Sequence, residues 1–204
     1  MRKQALFALV AASIVSVSGC APAAKGPDPV AVQPPVNTAR PLSGTDAQGL
    51  AEFNERVTAY ADLHQKLEAT LPALPSATTP EIIHKRQNAL GQLIVEARKG
   101  ARQGDIITPA TQVVFREVLA RIFKGAEGRQ LKASILDENP GNVGLQVNGR
   151  YPDEIPLSTV PPQVLAALPK LPKDLEYRFI GDRLILLDVH AHTIADYMDK
   201  AFPA

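Results

Sequence analysis

Through the first half of the chain, apolar side chains keep a seven-residue rhythm. Leu50, Phe53, Val57, Tyr60, His64, Leu67 and Leu71 recur at alternating spacings of three and four, which lays one stripe along about six helical turns. Thr45-Asp46-Ala47-Gln48 has the form of a capping box at the start of this helix, and Pro72 breaks it. A second helix is predicted to begin near Thr78 or Thr79, with Pro80 in its first turn. Its stripe is Ile83, Leu90, Ile94, Ala97 and Ala101, and it ends near Gly104. Thr108 and Pro109 open a third helix with Val114, Val118 and Ile122 on its apolar face, interrupted near Gly125. A short fourth helix is predicted over 129–138. The short Pro-rich connections predict antiparallel neighbours whose stripes face one another within one chain; the other arrangement is a coiled-coil dimer through the first helix. His64 falls at a core-type position and is predicted to be partly buried at the end or edge of the bundle, its polar edge satisfied. His84 lies in a basic stretch and is predicted to face solvent.

The period then changes. Residues 139–172 are punctuated by glycine and proline, with a possible short strand at Leu145-Gln146-Val147 and a short helix over 161–168. Leu175, Tyr177 and Phe179 alternate with Glu176 and Arg178, the two-residue period of a strand. Gly181-Asp182 suits a two-residue hairpin turn with glycine at its first central position. Residues 183–189 form the return strand. Being apolar on both faces, they suit a central or covered position. The turn pairs Ile180 with Arg183, Phe179 with Leu184 and Tyr177 with Leu186. Phe179 and its neighbours are expected to pack on the helices or on 161–168. The opposite face, with Arg178 beside Ile185 and Glu176 beside Leu187, is expected to be mixed and less buried. Residues 194–198 suit a third strand somewhat better than a terminal helix. The predicted class is α+β: an antiparallel bundle of three or four helices over 46–138, then a small α/β region over 139–204. That region has a Pro-rich approach and a β-hairpin or meander at 175–189.

Val160-Pro161-Pro162, Leu168-Pro169-Lys170-Leu171-Pro172, Leu175-Glu176-Tyr177-Arg178-Phe179-Ile180-Gly181-Asp182, Ile185-Leu186-Leu187-Asp188-Val189 and Ile194-Ala195-Asp196 together resemble the tail of uncharacterised bacterial envelope proteins. The same Pro-rich hairpin is similar to that of small periplasmic nickel/cobalt-homeostasis accessory proteins. The resemblance spans about 45 residues. It implies a small β-meander and carries over no functional residue.

The N-terminus reads as an export signal. Arg2 and Lys3 precede an apolar stretch over 5–17 that is too short to span a membrane. Val17-Ser18-Gly19-Cys20 then resembles a bacterial lipobox, which implies cleavage after residue 19, thioether lipidation of Cys20 and acylation of the new amino terminus. Two or more acyl chains anchor stably where one is marginal. Ala21 stands where an aspartate would signal retention in the inner membrane, so the resemblance implies the outer membrane, periplasmic face. Residues 20–45 form the lipidated cysteine and a linker with prolines at 22, 27, 29, 34, 35 and 41, a composition that favours extended chain.

Composition narrows the chemistry. Lys plus Arg is 22 against 21 Asp plus Glu, so no excess charge draws the chain to nucleic acid. Trp is absent and aromatics are 5%, which disfavours a sugar- or base-stacking platform. Cys20 is the only cysteine, which excludes an intramolecular disulfide and CxxC motifs. The chain has no GxSxG, SxxK, GxGxxG or P-loop. Asp196 and Asp199 are the acidic pair considered for glycosidic chemistry. Asp188, His190 and His192 alternate, so an extended chain would set all three on one face as candidate ligands for a divalent metal. The expectation is a non-catalytic, membrane-anchored envelope protein without a cofactor. Its partners are the membrane, through the lipid, and another envelope protein. The alternatives are a small-ligand or divalent-metal-binding accessory protein and, after it, an envelope hydrolase.

Overall fold

A computed structural model describes residues 43–138, 143–157 and 159–203. The predicted signal segment, Cys20 and the predicted linker as far as residue 42 lie outside the described residues. The folded unit runs α1 (Gly44–Glu68), α2 (Pro80–Ala97), α3 (Pro109–Ile122), α4 (Gly125–Glu138), α5 (Pro162–Ala167), β1 (Leu175–Ile180), β2 (Arg183–Asp188) and β3 (Thr193–Met198). The three strands form one antiparallel sheet in the order β1-β2-β3. The class is therefore α+β, with the helical region preceding the β-meander.

Local chemistry sets the helix ends. The cap of α1 lies two residues earlier than predicted. Ser43 Oγ accepts the Asp46 amide at 3.2 Å, and Asp46 Oδ2 accepts the Ser43 amide at 2.9 Å. Asp46 thus reciprocates within the box, and Thr45 and Gln48 are not its members. Thr79 caps α2 and Thr108 caps α3, each followed by the predicted proline. Helix α2 stops at Ala97, short of Gly104, and Ile83 and Ala97 are exposed rather than on its buried stripe. It stops because Arg98 leaves the helical path. The Arg98 guanidinium donates to Asn148 Oδ1 at 2.6 Å and to the Ala195 carbonyl at 2.9 Å, and lies over the Tyr60 ring. Helix α4 starts at Gly125, four residues before the predicted start, because glycine takes up the φ of +80° at that junction.

The hairpin forms in the predicted register, with Ile180 opposite Arg183, Phe179 opposite Leu184 and Tyr177 opposite Leu186. Gly181 supplies the φ of 58° at the turn. One sheet face carries Leu175, Tyr177, Phe179, Leu184 and Leu186 into the main core, with Phe53, Val57, Leu90, Ile94, Phe115, Leu119 and Phe123 from α1–α3 and Val164 from α5. Phe115 meets Tyr177 edge-on at 6.2 Å, and Phe202 stacks on Phe179 at 5.1 Å. Helix α2 comes close to the end of β3, because an added Cβ at Gly91 would sit 3.2 Å from Thr193 Cγ2.

The other sheet face bears out the sequence reading on β1, where Glu176 and Arg178 are half-buried, and corrects it on β2 and β3. Ile180, Ile185, Leu187 and Ile194 are buried there with Tyr151 and Ile155. The expectation of a less buried face overlooked the Pro-rich approach, which folds back as a cover. Asn148 N donates to Ile194 O at 2.8 Å, Ile194 N to Gly149 O at 2.8 Å, and Tyr151 N to His192 O at 2.9 Å. Leu145-Gln146-Val147 forms no strand. The chain turns there instead, with Gly149 N bonded to Gln146 O and Asn148 at φ 63°. Residues 194–198 are strand, as favoured. A bulge between Leu186 and Leu187 leaves Ala195 as the extra residue on β3.

Candidate functional site

Polar chemistry gathers where the last turn of α1 meets the β2–β3 turn. The stripe that buries Phe53 and Val57 also carries Tyr60, His64 and, on the next turn, Glu68 along one side of α1. The end of β2 places Asp188 against them, fully buried. Tyr60 Oη donates to Asp188 Oδ2 at 2.8 Å, and His64 Nδ1 lies 2.6 Å from the same oxygen. The second oxygen, Oδ1, accepts the backbone amides of His190 at 3.1 Å and Ala191 at 2.8 Å. Asp188 therefore ties the turn to α1 with every lone-pair direction engaged.

This network fixes the imidazole of His64. A carboxylate that already accepts the tyrosine proton is an acceptor, so Nδ1 of His64 is the donor. Nε2 then faces Glu68 Oε2 at 3.3 Å, and His190 Nδ1 lies 3.3 Å from that same Oε2 and 3.2 Å from Oε1. The two imidazole rings are 5.5 Å apart between centroids. Arg86 approaches Glu68 Oε1 at 3.5 Å and donates to the Pro72 carbonyl.

Asp174 completes the group from the loop before β1, where its carbonyl accepts the Val189 amide at 3.1 Å. It is 1% exposed, yet neither carboxylate oxygen accepts a hydrogen bond. His190 Nδ1 stands 3.7 Å from its Oδ1. Burial alone would lower the His64 value, but its hydrogen bond to Asp188 and the charges of Asp188, Asp174 and Glu68 outweigh that and raise it. For Glu68, burial acts upward, and the hydrogen bonds and charges of His190 and His64 win, lowering it. Donor atoms of His64, Glu68 and His190 all lie within 4.8 Å of one another. His190 and Glu68 keep side-chain exposures of 43% and 26%, so the cluster opens to solvent on that side.

The Asp188–His190–His192 triplet does not converge. The strand ends at Asp188 and the chain turns through 189–192, with His192 at φ 53°. His190 goes to Glu68 and Asp174. His192 goes the other way, 3.6 Å from Asp153 and edge-on to Tyr151. His84 is exposed and meets Arg150 at 3.2 Å. His64, read as a partly buried core position, is fully buried, with both ring nitrogens engaged. The partners Glu68 and Asp174 were missed. The i, i+4 spacing of His64 and Glu68 was a readable signal; the approach of Asp174 from over a hundred residues away was not.

Asp196 and Asp199 do not face one another across a cleft. Asp196 is fully buried and accepts the amides of Gly104, Ile106, Ile107 and Tyr197 at 2.7–3.0 Å, whereas Asp199 accepts from Gln103. Among the described residues no helix is long and apolar enough to cross a membrane. No protein-family model, curated protein or solved structure matches this chain.

Proposed function

We propose that this chain is a lipid-anchored bacterial envelope protein, held on the periplasmic face of the outer membrane, whose folded part is a non-catalytic accessory module for another envelope protein. The observation that carries the reading is Val17-Ser18-Gly19-Cys20 behind a basic and apolar leader. The segment after Cys20 supports it. It carries six prolines between Cys20 and Gly44, the composition of a spacer. Such a spacer suits a module that must reach a partner.

Fractionation with lipid labelling tests the reading. The wild type is expected in the membrane fraction with an acyl label on Cys20. Cys20→Ala is expected to lose the label and escape lipoprotein processing. An unlabelled wild type, with the variant partitioning identically, would refute it. Affinity capture from solubilised envelopes then names the partner. A second reading, a divalent-metal accessory protein, is favoured by one observation: the convergence of His64, Glu68 and His190 beside Asp174.

A further inference from the structure

We propose that His64 Nε2, the Glu68 carboxylate and His190 Nδ1, with Asp174 beside them, form a binding site for one divalent transition cation of the class that accepts imidazole and carboxylate together. The inference stands apart from the anchoring of Cys20 and uses none of its residues.

Three observations carry it. The first is spacing. Metal–ligand bonds of about 2.0–2.2 Å at tetrahedral angles place neighbouring donors about 3.4 Å apart. Here Glu68 lies 3.3 Å from His64 Nε2 and 3.2 Å from His190 Nδ1, and ligand atoms of these three residues all lie within 4.8 Å of one another; Asp174 Oδ1 stands next to them, 3.7 Å from His190 Nδ1. The second is the support behind the ligand. Asp188 holds Nδ1 of His64 at 2.6 Å, the carboxylate–histidine arrangement that fixes the tautomer and turns the lone pair of Nε2 outward. The third is Asp174. A carboxylate 1% exposed with neither oxygen hydrogen-bonded carries an uncompensated desolvation cost, and a cation beside His190 supplies the missing partner.

Charge points the same way. Asp174, Asp188 and Glu68 contribute three negative charges, and Arg86 contributes one positive charge at Glu68. Two negative charges remain. One divalent ion bound to the cluster neutralises them. A nitrogen that binds metal must be unprotonated, so protons compete with metal for such a cluster. Imidazole with carboxylate selects zinc, cobalt(II) or nickel(II) over calcium and magnesium, which prefer all-oxygen shells. The exposed side of His190 gives the ion its path in.

Zinc and cobalt(II) are the probes, titrated into the purified full chain in detergent after chelator treatment. The expected result is one saturable site, with visible cobalt absorption of a low-coordinate centre and uptake that weakens as the pH is lowered. His190→Ala, whose side chain is half exposed, should weaken uptake by more than about a hundredfold, and Asp174→Asn by about ten- to a hundredfold, the range for residues that support the ligands. Circular dichroism confirms that both variants are folded. His84→Ala and His192→Ala should bind as the wild type does. No saturable uptake by the folded wild type, or uptake unchanged in His190→Ala, overturns the proposal. Loss of uptake in His192→Ala overturns it as well.

Discussion

Asp196 and Asp174 are equally buried, and the fold treats them in opposite ways. Asp196 sits on β3 and takes four backbone amides, three of them from the 104–107 segment that leads into α3. Asp174 sits before β1 and takes none. Burial pushes the Asp196 carboxyl up, and its four amides pull it back toward the charged form. The first carboxylate does the work of a structural pin: it satisfies loop amides that would otherwise be stranded. The second has been given no such work, although two imidazoles stand nearby. A buried charge with a full set of donors is explained by stability. One without them is explained by a ligand or by protons held in its place.

Removing the pin should give the largest effect. Asp196→Ala strands the buried amides of Ile106 and Ile107 and the part-buried amide of Gly104. Each buried group left unsatisfied costs about 1–3 kcal/mol, so a loss of about 5 kcal/mol is expected in denaturant unfolding. That is a large share of a domain's total stability. A loss under about 1 kcal/mol would mean that water replaces the carboxylate, and the contrast with Asp174 would collapse.

Phe179→Ala comes next and calibrates the first against pure packing. Phe179 is fully buried between Phe123 and Phe202, and such truncations cost about 3–5 kcal/mol. The same assay should show the two variants within about 2 kcal/mol of each other, given those ranges. A much smaller loss for Phe179→Ala would show that the aromatic cluster collapses into the space left behind.

How much of this was readable follows the same divide. Phe179 was legible, because two-residue alternation around Gly181-Asp182 determines both its register and its face. The stripe from Phe53 to His64 was legible for the matching reason at helical period. On the outer sheet face the burial of Ile185 and Leu187 was missed because its cover, Tyr151 and Ile155, comes from a Pro-rich stretch with no repeating period to announce it. The candidate metal triplet was misread because alternation implies one face only while the chain stays extended, and the turn after Asp188 sends His190 and His192 apart. The four-residue cluster joins α1 to two loops more than a hundred residues away. No local pattern encodes that, and only the His64–Glu68 spacing hinted at it.

A third effect depends on pH. His64 is raised above the ordinary imidazole value of about 6.5. Its protonated form is thus favoured more in the folded chain than in the unfolded one. The stability from that preference is fully present below about pH 6.5 and is lost as the pH rises through the raised folded value. In chelator, the melting temperature of the wild type should therefore fall across that window, and His64→Gln should flatten this part of the profile. A wild-type profile that rises there would show that the three carboxylates do not hold the imidazolium.

The smallest effect is the sharpest, because its sign changes with conditions. In metal-free protein at alkaline pH, Asp174 places a carboxylate in a buried position without a hydrogen-bond donor. Asp174→Asn replaces the carboxylate by a neutral amide at nearly constant shape, and stability should rise by about 1 kcal/mol, because an unpaired buried charge costs more than an unpaired neutral polar group. Where the pH is low enough for His64 to carry its proton, that imidazolium and the Asp174 carboxylate attract one another. The substitution then discards an attraction along with the penalty, so the gain should shrink to nothing or reverse. Added zinc should act as acid does, stabilising the wild type more than Asp174→Asn. Asp196→Asn offers the control. Its carboxylate is already satisfied by amides, and an amide side chain returns one acceptor where there were two, so it should destabilise at every pH and ignore zinc. If the two asparagine variants lose stability alike under all conditions, Asp174 is a second structural pin and the contrast between the two carboxylates is void.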